Sequence, residues 1–545
     1  MTMESSAIQA KLDALFAPFN RTDAPGLVVA VARGNEVLFR RGYGMASLEH
    51  AVANTPATRM RIGSTSKHFT CLAALLLAED GKLDVDAGIR HYLHELPLLA
   101  GDPTLVQLMT HTSGYRCFLD LGLLTQGLAM VPRGAALATQ VRQQDVNFPP
   151  GERMMYSNGG YHLLSLVIER MSGMPFEAFL KTRIFDVMGM ADTESLPNDM
   201  AIRSRVATLH IPDGHGGYRR GLFPSWEVLG EGAIVSTVDD MLRWLAHLRG
   251  PKRVGSPASW QRMFSAPSFS SGERSTYSLG LKSTPYRGVE LLHHAGGVIG
   301  GSCQMLTVAA HALDVIVLTN GAPVNPAEIA KRIVDIVLAD CLTGDQPPEP
   351  ASVAGREGLL GRYYSPRSRA SFELIGQQDT LMLVGFHTTA LPMPLFESAC
   401  ELRIETGSEG PYAVRHDVLP VNGAIASRVE IVHCGHSETF ERVTDTPPSV
   451  VEASSGLTGE YEGPDAGARA SLALQDDVLT LRMQGGLGSI SYQLEPVCAD
   501  LFDLAPLDPL DVMRGTLSVE RTGRHVERFW INTWRTRNLL FTRAA

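Results

Sequence analysis

A chain of 545 residues, 44% hydrophobic and 19% charged, holds enough apolar material for several packed cores and is not globally disordered. Acidic residues outnumber basic ones, 58 to 48, which speaks against a nucleic-acid partner or an anionic membrane surface. No apolar run reaches the length of a membrane span, and the opening Met1-Thr-Met-Glu-Ser-Ser lacks a basic region, an apolar core and a small-residue cleavage site, so a soluble cytoplasmic protein is expected.

In chain order, Ile8, Leu12, Leu15 and Phe16 recur at helical spacing. Residues 26–44 read as two strands around the turn Arg33-Gly34-Asn35-Glu36, a hairpin. Gly63-Ser64-Thr65-Ser66-Lys67 opens an apolar helix that ends near Gly81. Helices are expected at 104–111, 160–172, 237–249 (behind Thr237 as N-cap) and 326–342, and strands over 302–320. Strands at both ends with helices between predict an α/β domain over 1–342. Seven scattered cysteines, at 71, 117, 303, 341, 400, 434 and 498, share no zinc or redox spacing and read as reduced, mostly buried thiols.

Two proline-rich linkers, 343–354 and 444–455, precede similar sequences. Gly358-Leu-Leu-Gly-Arg-Tyr363 matches Gly456-Leu-Thr-Gly-Glu-Tyr461, and Asp379-Thr-Leu matches Asp477-Val-Leu, both at an offset of 98; Phe440-Glu-Arg and Phe541-Thr-Arg stand near the two ends. Two copies of a strand-rich module, 355–443 and 456–545, follow, each fitting a small antiparallel barrel.

The chemistry centres on Ser64. Lys67, three residues on, shares its helix face and can act as its base, while the helix mouth supplies free N–H groups. Alone, Ser-x-x-Lys occurs by chance about once or twice in a chain this long. Tyr156-Ser157-Asn158 sits on a turn before an apolar helix; Tyr156 can shuttle a proton and Asn158 can offer its amide to Lys67 or substrate, though a core tyrosine and a turn asparagine would read the same. In His294-Ala295-Gly296-Gly297, the glycines let a substrate lie alongside, and the Gly297 N–H can complete an oxyanion hole with that of Ser64. Leu108–Gly114 is a turn that can border the cleft.

Together these three motifs resemble those of the serine β-lactamase and penicillin-binding-protein superfamily, in its class C-like branch. Within it the chain is most similar to the bacterial D-aminopeptidases, through Ser66-Lys-His-Phe-Thr-Cys71, Cys303-Gln304, the two modules and the loop 485–491; it also resembles the peptidase of linearised microcystin. The resemblance implies a β-lactamase-like domain, an antiparallel sheet flanked by helices, followed by two lipocalin-like antiparallel β-barrels. It implies Ser64 as nucleophile, Lys67 as base, Tyr156 as proton relay bonded to His294, and Asn158 as substrate ligand. It further implies that Gly485, Gly486, Leu487, Gly488, Ser489, Ile490 and Ser491, a loop of the last barrel, roof the site. That loop carries no acid here, so a free amino terminus would be read weakly. A short peptide or amide is the expected partner, with no cofactor; a carboxylester or β-lactam uses the same residues, and a homodimer is an allowed assembly.

Overall fold

The computed structural model describes residues 3–343, 349–385, 392–398, 401–404, 412–415, 425–433, 436–444, 446–508, 511, 513–523 and 525–544. The elements that frame the site are α1 (Met3–Phe16), β1 (Leu27–Arg33), β2 (Glu36–Tyr43), α2 (Lys67–Glu79), α3 (Phe118–Gln126), α4 (Asn158–Ser172), α5 (Val238–Arg249), β3 (Lys282–Tyr286), β4 (Val289–Val298), β5 (Gly301–Val308), β6 (Leu313–Thr319) and α6 (Pro326–Val337).

The strands form one antiparallel sheet in the order β3-β4-β5-β6-β1-β2. Its centre joins the two ends of the domain, with Leu27 opposite Thr319 and Arg33 opposite Leu313. Alternation along a strand sends successive side chains to opposite faces. Val28 and Ala30 pack with α2 and α5, whereas Leu27, Val29 and Val31 pack with α1 and α6. A strand covered on both faces reads as an unbroken apolar run, as Leu27–Ala32 does. For the same reason α2 is apolar almost all round: it lies in the middle of the larger core.

The module after residue 349 is a nine-stranded antiparallel sheet. Its edge strands, Met393–Pro394 and Phe396–Ser398, are separated only by Leu395, so the sheet is nearly closed. The last module is a closed barrel of eight strands between Gly459 and Arg543. Two stretches expected as linkers carry structure. Pro350 and Ser352 bridge to Phe396 and Thr380 around the buried Ala351. Val450–Ala453 forms a helical turn with a Ser449–Glu452 capping box. Residues 344–348 of the first linker lie outside the described residues, as do Cys400 and Cys434. Cys71, Cys117, Cys303, Cys341 and Cys498 are free thiols, the first three buried. Among the described residues no helix is long and apolar enough to cross a membrane.

Candidate active site

Ser64 lies in a single tight turn, Gly63–Ser66, that leads into α2. β3 covers β4 only from Val289 to His293, which leaves the rest of β4 free to run beside this turn. The two glycines of β4 have different jobs. A Cβ on Gly296 would stand 1.8 Å from the Ile62 carbonyl oxygen, so Gly296 lets the strand touch the turn. A Cβ on Gly297 would meet nothing, so Gly297 faces the opening. Gly63 has a φ of 53°, and any side chain there would strike Gly297. Thr65 Oγ1 donates to the His294 carbonyl at 3.3 Å, tying turn to strand.

Lys67 is fully buried, and its Nζ has three oxygen neighbours: Ser64 Oγ at 3.0 Å, Asn158 Oδ1 at 2.8 Å and the Glu231 carbonyl at 2.7 Å. Burial pushes its ammonium down to about 7; Glu231 opposes that shift and Arg535 adds to it. At neutral pH a large share of Lys67 is therefore neutral. A neutral amine keeps two N–H groups for Asn158 and Glu231 and aims its lone pair at the Ser64 hydroxyl.

Tyr156 lies under the same cleft, with Lys67 Nζ 4.8 Å from its ring centre. The His111 ring packs against it, tilted by 32° with the ring centres 4.1 Å apart, and His111 Nδ1 accepts from the Ser157 N–H at 3.1 Å. The motif that said least in the sequence thus supplies the floor of the site, at a left-handed φ of 60°. His294 does not bond Tyr156 as the resemblance implied. Its Nδ1 donates to the Ala295 carbonyl, and its Nε2 accepts from Tyr277 Oη at 2.9 Å. Tyr277, which the sequence did not single out, stands edge-on between His294 and Tyr156. Burial holds both His111 and His294 well below the usual imidazole range, so both are neutral.

The last barrel reaches this cleft by a different loop from the one expected. The hairpin of Gly485, Gly486, Leu487 and Gly488 docks on α3, where the Leu487 N–H donates to Gln126 Oε1 at 2.9 Å. Side chains on Gly485 or Gly488 would collide with Gln126 or Ala129. Ser489 and Ser491 flank Ile490, whose side chain is in the barrel core. It is the turn Thr533–Asn538 that enters. The Arg535 guanidinium lies 4.8 Å from the Tyr156 ring centre and 3.9 Å from Asp120 Oδ1. Burial pushes the Asp120 carboxyl up to about 6. Asn147 clamps the turn from both sides, donating to the Arg535 carbonyl at 2.9 Å and accepting from the Arg537 N–H at 2.8 Å.

A family model described as Beta-lactamase matches residues 12–339, more than half of the chain. The chain belongs to the β-lactamase family. Among its relatives are D-aminopeptidases of Brucella canis, 30% identical over 63% of this chain, and of Gluconobacter oxydans, 26% identical over 99% of both chains. The match to the former spans 64% of that relative's length. The fold is similar to that of an octameric penicillin-binding protein homologue from Pyrococcus abyssi, with a TM-score of 0.56 at 22% identity over 81% of this chain and 100% of that one. It is also similar to D-amino acid amidase from Ochrobactrum anthropi, with a TM-score of 0.51 at 23% identity over 62% of this chain and 98% of that one.

Proposed function

We propose that this member of the β-lactamase family is a serine amide or peptide hydrolase, D-aminopeptidase-like, that acts through an acyl-enzyme on short peptides or amides containing D- or unusual residues. The observation that carries the reading is the ring of three oxygens around the buried Lys67 Nζ, one of them the Ser64 hydroxyl. Ser64 Oγ attacks the substrate carbonyl carbon while its proton passes to Lys67. The N–H groups of Ser64 and Gly297 hold the oxygen that becomes negative. Tyr156, flanked by Lys67 and Arg535, gives its proton to the leaving nitrogen and is reprotonated by Lys67; water then loses a proton to Lys67 as it attacks the acyl carbon, and that proton returns to Ser64 Oγ as the acid leaves. His294 steers Tyr156 indirectly, through Tyr277.

The D-aminopeptidase relatives support the choice of amide chemistry. Arg535 bends it: the barrel brings a cation beside Tyr156, which disfavours a substrate ammonium. Peptides with a blocked amino terminus or an acidic end fit this better than a strict requirement for a free amino terminus, and a linearised cyclic peptide fits through the carboxylate that ring opening frees. A panel of D- and L-aminoacyl p-nitroanilides, p-nitrophenyl esters and nitrocefin tests the reading, with Ser64→Ala as control. Turnover of at least one amide that Ser64→Ala abolishes supports it. Turnover of esters alone, or of nitrocefin alone, moves the chain to the esterase or β-lactamase reading, and no turnover at all leaves a binding protein.

A further inference from the structure

Helix α4 is apolar on most of its surface, yet Asn158, His162 and Ser165 fall on one face at spacings of four and three. All three serve Lys67 or the segment that holds it. Asn158 Oδ1 accepts from Lys67 directly. Ser165 Oγ accepts from the Gly230 N–H at 2.9 Å, and Thr70 Oγ1 donates to the Gly230 carbonyl at 3.0 Å. The next residue, Glu231, turns its carbonyl to Lys67 and its carboxylate away, to His162 Nδ1 at 3.2 Å. His162 Nε2 faces Glu227 at 3.7 Å, and Glu227 accepts from the Gly134 N–H at 2.9 Å near the surface. Glu231 and His162 are both nearly inaccessible to water, and Glu231 Oε2 has no hydrogen-bond partner.

A buried carboxylate this close to a lysine normally takes the lysine as its partner. Here it is held by a histidine on the far side, so its charge acts on Lys67 without quenching it. We propose that the Glu227–His162–Glu231 chain is a positioning unit for the Ser64 site: it fixes the Glu231 carbonyl against Lys67 and holds one negative charge behind it. The inference rests on Lys67 being the base. Burial works against charge on His162, but Glu231 and Glu227 raise it to about 9, so it is an imidazolium at neutral pH. Glu169 also faces His162 from α4, and Arg133 faces Glu227. Around Lys67 stand Glu231, Arg535, Cys117, Cys71 and the neutral His111 and His294. Of these Glu231 is the one carboxylate that raises the proton affinity of Lys67.

Glu231→Gln keeps the carbonyl and removes the charge. His162→Gln removes the imidazolium that offsets the Glu231 carboxylate. Glu231→Gln should move the acid limb of kcat/KM towards lower pH by about one unit, His162→Gln should move it towards higher pH, and the double variant should match Glu231→Gln, because both act through one unit. The plateau at high pH should fall by less than about threefold. In protein carrying ¹⁵N-lysine, the Lys67 Nζ titration midpoint, assigned with Lys67→Arg, should shift in the same directions; this readout needs no substrate and so separates failure of the unit from failure of the hydrolase reading. An unmoved midpoint, or single-variant shifts that add in the double variant, would overturn the proposal, as would a lowered plateau with an unmoved limb.

Discussion

The two C-terminal modules are built on one plan and do different things. In each, a tyrosine hydroxyl donates to a carbonyl four residues earlier, Tyr363 to Leu359 and Tyr461 to Leu457, both at 2.8 Å. In each, an arginine from the last strand covers that ring and donates to the hydroxyl, Arg442 at 2.7 Å and Arg543 at 2.6 Å. The shared glycines have the same reason in both copies: a Cβ on Gly361 or Gly459 would stand 2.3 or 2.4 Å from that guanidinium. The matched aspartates close the same hairpin, with left-handed backbone at Gln378-Asp379 and at Asp476-Asp477. What differs is the loops. Arg369 of the first module lies over Trp530 of the second, Arg362 pairs with Asp503, and Tyr412 accepts from Trp534 Nε1 behind the inserted turn. The second module grips the catalytic domain, through Gln126, Leu124, Asn147 and above all Arg116. A repeated latch builds a barrel, and the loops it leaves free to vary decide which copy touches the chemistry.

Four substitutions sharpen that contrast. The largest effect belongs to Arg116, whose buried guanidinium pairs with Asp465 at 2.6 Å and also donates to the carbonyls of Arg537 and Asn538. Arg116→Ala strands Asp465 and should cost about 3–5 kcal/mol of barrel docking, seen as a separate, earlier barrel transition in calorimetry. A single transition at the wild-type temperature would show that the grip lies elsewhere. Arg535→Gln should change selectivity without unfolding anything. Loss of the cation should raise kcat/KM for D-alanine p-nitroanilide relative to its N-succinyl form by about tenfold, or about 1.4 kcal/mol. It should also move the acid limb towards higher pH, because Arg535 lowers the proton affinity of Lys67. Unchanged selectivity would mean that the barrel turn does not read substrate. The smallest effect tests the shared latch: Tyr363→Phe and Tyr461→Phe should each cost about 1 kcal/mol in the module that carries it. A cost in one copy and none in the other would break the equivalence.

Much of this was legible because it is local. The hairpin at Gly34, α2 behind Ser64, the Thr237 cap and the repeat all follow from short-range rules, and the structure has each of them. Ser64 and Lys67 meet as their spacing implied, and Asn158 meets Lys67, one of the two partners its amide allows, since a helix mouth and a helix N-terminus point both motifs into one cleft. What stayed hidden arrives from far along the chain. Nothing near Trp534-Arg535-Thr536-Arg537 marks that turn as an active-site loop; only closure of the barrel brings it to Tyr156. The glycines of 485–488 allow a close approach, but the surface they approach is α3 and not the cleft that the resemblance implied. Tyr277 looked like any core tyrosine. The polar stripe Asn158, His162, Ser165 was the one missed signal that the sequence did carry.

The most direct test of the central claim is where the acyl group goes. The protein is mixed with the amide or ester turned over fastest, quenched in acid within the first turnovers, digested and mapped by mass spectrometry at several pH values. The acyl mass should sit on the peptide that contains Ser64. It should form faster as pH rises through about 7, where Lys67 loses its proton, and it should be absent from Ser64→Ala. An adduct on any other residue, or a Ser64→Ala protein that still turns over substrate, would contradict the assignment of Ser64 and Lys67.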